Sequence, residues 1–282
     1  MSNGGSGRIA AREQRVEWMK GLNLFSNVFM SVALRDTAAC QHVLRTLLGV
    51  PDLRIRTVRT QYRVSRLVSK DSELDVLAED EAGRLYSLEV QRADTVDHAR
   101  RVRYYGAMID SEFLEKGKRY QELPDVYLIY VSETDLWRYG LAAYPVHRCF
   151  QNLEHCEDGM KILYANAAVD DGSERARMLQ YFRMADPEDR SQGALSDRVH
   201  FLKAEEGGQK EMEDVVERIF QEGVEEGMEK GIERGQSTKE KRVVFRMLAR
   251  GDKMEDIIDI SEVSPEQIEQ WKREWEAENL GL

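Results

Sequence analysis

Three polar residues in two short alternating segments carry the strongest chemical signal in the chain. They are Asp75 in SELDVLA (72–78), and Glu89 and Gln91 in RLYSLEVQ (84–91). Alternate side chains of a β-strand share a face. In the first segment Leu74 and Val76 take the core side and leave Asp75 on the other. In the second, Leu88 and Val90 leave Glu89 and Gln91 opposite them. The linking residues Glu79-Asp80-Glu81-Ala82-Gly83 read as a hairpin turn, so Asp75, Glu89 and Gln91 are expected to converge across a hairpin. Two carboxylates at one point repel unless a proton or a cation lies between them. Mg²⁺, or Mn²⁺ in its place, uses one or two carboxylates and keeps waters at its other positions. Such an ion activates a water and neutralises charge building on a phosphodiester. The competing reading of the same pattern is a solvated acidic hairpin face.

The elements that must position these residues follow from periodicity. Residues 24–50 read as helical, with apolar residues at Phe25, Val28, Phe29 and Val32, then at Cys40, Val43, Leu44, Leu47 and Leu48, stopped by Gly49 and Pro51. The basic, β-branched stretch 53–70 suits an exposed strand. A helix is expected over 94–116, a buried strand over 125–131 (DVYLIYV), a short strand over 161–165 and a helix over 173–183. This order predicts an α/β fold with a mixed sheet. On the helix after the hairpin, Arg101 and Tyr105 stand at i and i+4 and share a face, while Arg103 and Tyr104 lie elsewhere. The forked donors of arginine and the tyrosine hydroxyl suit phosphate oxygens, so Arg101, Tyr105 and Arg103 are candidates for contacting a phosphate group.

The string LDVLAEDEAGRLYSLEVQ, followed by RRVRYYGAMID, EKGKRYQELPDVYLIYV and MKILYANA, resembles the PD-(D/E)XK nuclease family transposases, the recombination-promoting nuclease group of bacteria. The resemblance extends to the FSNVFM segment and to the EGxxEGxxxG tail, although the tail repeats are not specific. It implies a restriction-endonuclease-like core over 1–190 and Mg²⁺-dependent cleavage of DNA linked to recombination or mobile elements. The motif aspartate then falls on Asp75 and the E-x-Q motif on Glu89 and Gln91, with Asp75 and Glu89 as metal ligands. The wider superfamily has a lysine where this chain has Gln91. An uncharged amide orients a water but supplies no charge, which must come from a nearby arginine or the metal. The chain departs from the family's common pattern just ahead of the first-helix Phe-Met, where many relatives carry an acid and this sequence has Val28 after Asn27.

The 282 residues carry a net charge of −11, which taken whole argues against a nucleic-acid partner. The charge is lopsided. Residues 1–120 have a net of +4 and residues 121–282 a net of −15. The basic side chains cluster at Arg54, Arg56, Arg59, Arg63, Arg66 and Lys70, and again at Arg92, Arg100, Arg101 and Arg103. DNA is therefore expected on the first half. From about 194 the chain reads as helical and acidic, interrupted at Gly207-Gly208. Gly223, Gly227, Gly231 and Gly235 recur every fourth residue beside Val224, Met228 and Ile232. Within this half, 191–240 forms an acidic helical segment and 241–282 a small helical element. A second backbone packed on the glycines would explain their spacing, which suggests a homodimer; a loose tether is the alternative. The segment MEDIIDISEVSPEQIEQW has the outline of a helix-turn-helix, but its second helix is acidic and suits packing or partner contact better than DNA.

Several other functions are set aside. No apolar run approaches the ~20 residues of a membrane span. The spacing of His147, Cys149, His155 and Cys156 fits no common zinc pattern. There is no Walker-type phosphate loop. Three cysteines (Cys40, Cys149, Cys156) and a polar N-terminus lacking a hydrophobic signal region suit a reduced, cytoplasmic protein. A non-catalytic interaction protein that keeps the nuclease fold is the second functional reading, favoured by Val28, Gln91 and the acidic second half.

Overall fold

The computed structural model describes residues 17–64, 73–92, 97–146, 158–261 and 263–280. A six-stranded mixed sheet organises the first part of the chain. Its strands are β1 (Ile55–Arg63), β2 (Glu73–Asp80), β3 (Leu85–Gln91), β4 (Val126–Ser132), β5 (Ala143–Val146) and β6 (Met160–Asn166), in the order β1-β2-β3-β4-β6-β5. The pairs β3/β4 and β4/β6 are parallel, and the outer pairs are antiparallel. With helices flanking this sheet, the fold is the restriction-endonuclease-like α/β architecture.

Around the sheet lie α1 (Asn27–Ala33), α2 (Thr37–Leu48), α3 (His98–Phe113), α4 (Glu174–Met184) and α5 (Gly193–Ala204). The apolar run 24–50 is two helices rather than one, because Asp36 caps the second by accepting the Ala39 N–H at 2.9 Å. Gly49 ends α2 in the left-handed conformation (φ 71°), where a side chain would be strained. The short edge strand β5 was not expected. Its four residues AYPV include Pro145, which suits an edge and masks the pattern. Arg66, Lys70, His147, Cys149, His155 and Cys156 lie outside the described residues.

Helix α3 covers one face of the sheet. Its Val102, Met108 and Ile109 pack with Leu77, Leu85, Val126, Leu128, Tyr130 and Tyr164, which strand register places on that face. Gly106 brings the helix close. A Cβ there would lie 2.7 Å from Met160 Cε and 3.2 Å from Leu128 Cδ1. On the other face Val76, Ala78, Leu88, Val90 and Ile129 are also buried. Strands covered on both sides read as continuous apolar runs, which is the DVYLIYV pattern.

The long helix α6 (Glu206–Arg250) follows α5, and the chain divides into two compact units between Val216 and Glu217. In the first unit, Lys203 of α5 is buried over the Phe29 ring and donates to Ala185 O (2.8 Å) at the end of α4. Gly207 and Gly208 stand at the α5–α6 junction with different roles. A Cβ on Gly208 would lie 2.0 Å from the Phe201 carbonyl oxygen, whereas one on Gly207 would make ordinary contact with the Phe201 ring at 3.5 Å. Gly208→Ala should therefore destabilise by roughly 3 kcal/mol and Gly207→Ala by less than about 1. Urea denaturation of the two variants checks this, and equal midpoints would refute it.

In the second unit, α7 (Met254–Ser261) and α8 (Pro265–Leu280) pack with the end of α6 through Val244, Met247, Ile257, Ile268 and Trp271. Among the described residues, nothing lies within 4 Å of where a Cβ on Gly227, Gly231 or Gly235 would stand. The homodimer expected from their spacing finds no support in these contacts. Among the described residues no helix is long and apolar enough to cross a membrane.

Candidate active site

The hairpin forms as its alternation predicts. Register pairs run from Glu79↔Leu85 to Val76↔Leu88, so one step further sets Asp75 opposite Glu89. Asp80 fastens the turn: its carboxylate accepts the Ala82 and Arg84 N–H groups (both 2.9 Å), the Arg84 guanidinium (2.6 Å) and the Tyr86 hydroxyl (3.0 Å). Burial pushes this carboxyl up, but those donors more than offset it and hold it below the usual aspartate range. Gly83 supplies the left-handed position (φ 79°). A rigid turn fixes the register, and the register fixes which acids face each other.

Beyond Val76↔Leu88, side chains replace the backbone ladder. Asp75 Oδ2 accepts the Val90 N–H at 2.8 Å, and Glu89 Oε1 accepts the Asp75 N–H at 3.3 Å and the Ser87 hydroxyl at 3.0 Å. Each carboxylate thus holds the other's strand. Among the described residues, Asp75 Oδ1 and Glu89 Oε2 accept no hydrogen bond. The face they occupy is covered by α3 rather than open to water, and Glu89 is only 6% exposed. Burial pushes the Asp75 carboxyl from its ordinary 3.8 to about 6. Burial, and then the charge of Asp75, raises Glu89 well above the usual range.

Helix α3 brings a cation to this pair. The Arg101 guanidinium donates to Gln91 Oε1 at 2.6 Å, and its charge lowers both the Asp75 and the Glu89 carboxyl. Because arginine has no acceptor, Gln91 must turn its oxygen to Arg101 and its NH₂ away. Tyr105, one turn on, is half-buried beside the site. Burial raises its phenol first, and the Glu89 charge raises it further. Arg103 and Tyr104 are exposed, so of the two pairs on this helix the structure sets Arg101 and Tyr105 beside the carboxylates.

Residues the sequence reading passed over complete the surroundings. Tyr130 of β4 is level with Glu89, and its hydroxyl lies 2.9 Å from His98 Nδ1. Ser87, fully buried, supports Glu89. The signal for Tyr130 was its place in DVYLIYV, two residues after Leu128 and on the same face. Buried hydroxyls and imidazoles satisfy one another, so they leave little trace in composition.

The residues present fit a divalent ion. A half-buried and a buried carboxylate, each with one oxygen unengaged among the described residues, favour a cation that relieves their repulsion. No cluster of three or more His, Cys, Asp or Glu occurs among the described residues, and Val28 brings no third acid. The basic groups nearby are partly engaged: Arg56 pairs with Glu79, Arg63 with Glu73 and Arg92 with Glu133.

No curated protein and no solved structure matches the chain. A family profile does match over residues 49–168, the segment that holds β1 to β6, α3 and every residue of the carboxylate site. PD-(D/E)XK nucleases generally use divalent metals, in keeping with this donor set. Residues 49–168 match the family model of the PD-(D/E)XK nuclease family transposases, a match that supports a nuclease-type function.

Proposed function

We propose that the protein is a metal-dependent DNA endonuclease associated with recombination or mobile elements. The observation that carries this reading is the approach of Asp75 and Glu89 across the β2–β3 hairpin, with Arg101 fixed against Gln91. Asp75 and Glu89 are the residues that would hold Mg²⁺ or Mn²⁺. When bound, the ion supplies a Lewis acid for a phosphate oxygen and lowers the pKa of a water.

The remaining roles belong to the chain. Gln91, its oxygen taken by Arg101, presents an amide N–H that holds a water through one lone pair and leaves the other free to attack. It orients the water and does not deprotonate it. Arg101 stands behind that amide and supplies the positive charge that the wider superfamily places on a lysine. Tyr105 offers a hydroxyl to a phosphate oxygen from the next turn of α3. Arg103, exposed on the same helix, is left for the flanking backbone.

The test is plasmid nicking by the purified protein in Mg²⁺ and in Mn²⁺, with Asp75→Ala and Glu89→Ala beside it. Supercoiled DNA should relax with wild type, and each variant should lose at least about 10³-fold in rate. Equal behaviour of the three preparations overturns the proposal and favours a non-catalytic interaction protein. That second reading draws on Val28 and the neutral Gln91.

A further inference from the structure

The loop between β4 and β5, residues 133–142, is built at a cost that folding alone does not explain. Asp135 holds it from inside. Its carboxylate accepts the Arg138 N–H at 3.0 Å, the Gly140 N–H at 2.9 Å and the Tyr144 hydroxyl at 2.6 Å. Trp137 braces it, with its ring edge-on to Tyr164 at 4.5 Å and to Tyr144 at 5.3 Å. On this support two side chains project. Arg138 sits at φ 59°, a left-handed conformation that a residue with a Cβ adopts only under constraint. Tyr139 is 77% exposed, with Arg138 exposed beside it. A rigid loop that strains an arginine and leaves an aromatic ring in water is shaped for contact, not for packing.

The loop starts at the carboxylate site. Ser132 is level with Gln91 in the β3–β4 register, and the Glu133 N–H donates to Gln91 O at 3.1 Å. Tyr130, level with Glu89, meets Tyr164 edge-on at 5.9 Å, and Trp137 rests on that same Tyr164. Tyr139 follows Glu133 by six residues, a reach of at most ~20 Å. One DNA strand advances about 3.4 Å per nucleotide, so the ring lies within about six nucleotides of the cut.

An aromatic face with an adjacent guanidinium suits a base and its phosphate. A paired, stacked base offers no free face. We propose that Trp137-Arg138-Tyr139 forms a base-stacking element that makes this site selective for DNA with unpaired bases near the scissile phosphate. Tyr139 stacks on an unpaired base, Arg138 holds the neighbouring phosphate, and Trp137 keeps the loop in place. The inference rests on the endonuclease reading above.

The experiment uses the full chain and two substrates, a paired duplex and the same duplex with a short internal bubble. Wild type should cleave the bubble faster. Tyr139→Ala should lower the bubble-to-paired rate ratio about tenfold, in line with the stacking of one base, and Tyr139→Phe should restore it. A second readout is independent of cleavage. In the Asp75→Ala background, 2-aminopurine placed in the bubble should be quenched on binding, and the added Tyr139→Ala should remove the quench. Asp75-dependent cleavage with an unchanged ratio and an unchanged quench overturns the loop's role and leaves the nuclease reading standing. Tyr139-dependent quenching without any cleavage does the reverse. Absence of both quench and cleavage overturns both.

Discussion

Asp75→Asn should raise the melting temperature of the metal-free protein at pH 8 while removing DNA cleavage. The carboxyl of Asp75 is pushed by burial from 3.8 to about 6, so the folded chain holds its proton more tightly than the unfolded chain. Below pH 3.8 both states are protonated and the group costs nothing. As pH rises from 3.8 to 6 the unfolded state releases the proton first, and wild-type stability falls. Above pH 6 the full cost is present, ~3 kcal/mol for a difference of about two pKa units, and nearer 1–2 after relaxation of the site. Asparagine removes that cost and still accepts the Val90 N–H through its amide oxygen. It also relieves Glu89 of a neighbouring charge. At roughly 2–4 °C per kcal/mol, the gain is ~2–8 °C. Thermal melts in EDTA at pH 4 and pH 8 should show a variant advantage at pH 8 that nearly vanishes at pH 4. Added Mg²⁺ should then raise the wild-type midpoint and leave Asp75→Asn where it was. A variant that melts lower than wild type at pH 8 would show that Asp75 holds the hairpin rather than straining it.

Much of this site was legible because β alternation is a strict rule. Leu74 and Val76 bracketing Asp75, and Leu88 and Val90 bracketing Glu89, were enough to set the two acids on one face. What alternation does not show is the cover on that face. A solvent-facing hairpin and one covered by α3 have the same pattern near the acids, and only the packing of Val102, Met108 and Ile109 distinguishes them. That cover is what raises both carboxyls, so the site's electrostatics were beyond the sequence although its members were not. The two faces of α3 posed a similar limit. Spacing shows that Arg101 and Tyr105 travel together, but which pair meets the sheet depends on the close approach at Gly106. Elements set by one residue's local bonding were harder to read. The break between α1 and α2 rests on the Asp36 cap, and the β4–β5 loop rests on three bonds to Asp135. In the glycine-striped helix a regular spacing suggested a packed face where, among the described residues, Gly227, Gly231 and Gly235 have no neighbour.

Arg101→Met should cost about 10²–10³ in kcat/KM and shift the acidic limb of the pH–rate profile upward. Two effects act together. Loss of the guanidinium removes a charge that lowers both Asp75 and Glu89, so the pair ionises, and is ready for a cation, only at higher pH. It also frees the Gln91 amide, whose orientation rests on the 2.6 Å bond from Arg101. Arg101→Lys separates the two: a single ammonium restores the charge and hence the pH limb, but not the forked hold on the amide, so the rate stays low across the profile. Gln91→Lys alone should also lose activity, because its ammonium would face Arg101 at hydrogen-bonding distance. In the Arg101→Met background the same lysine meets no competing cation and stands beside the two carboxylates, as the superfamily's lysine does. Gln91→Lys/Arg101→Met should therefore recover at least about tenfold over either single variant, a rescue of ~1.4 kcal/mol and a coupling larger than that by the cost of the second substitution. Losses that simply multiply in the double variant would mean that the glutamine and the arginine do separate work. Recovery would mean that this chain has moved one positive charge from the strand to the facing helix and kept its place in the reaction.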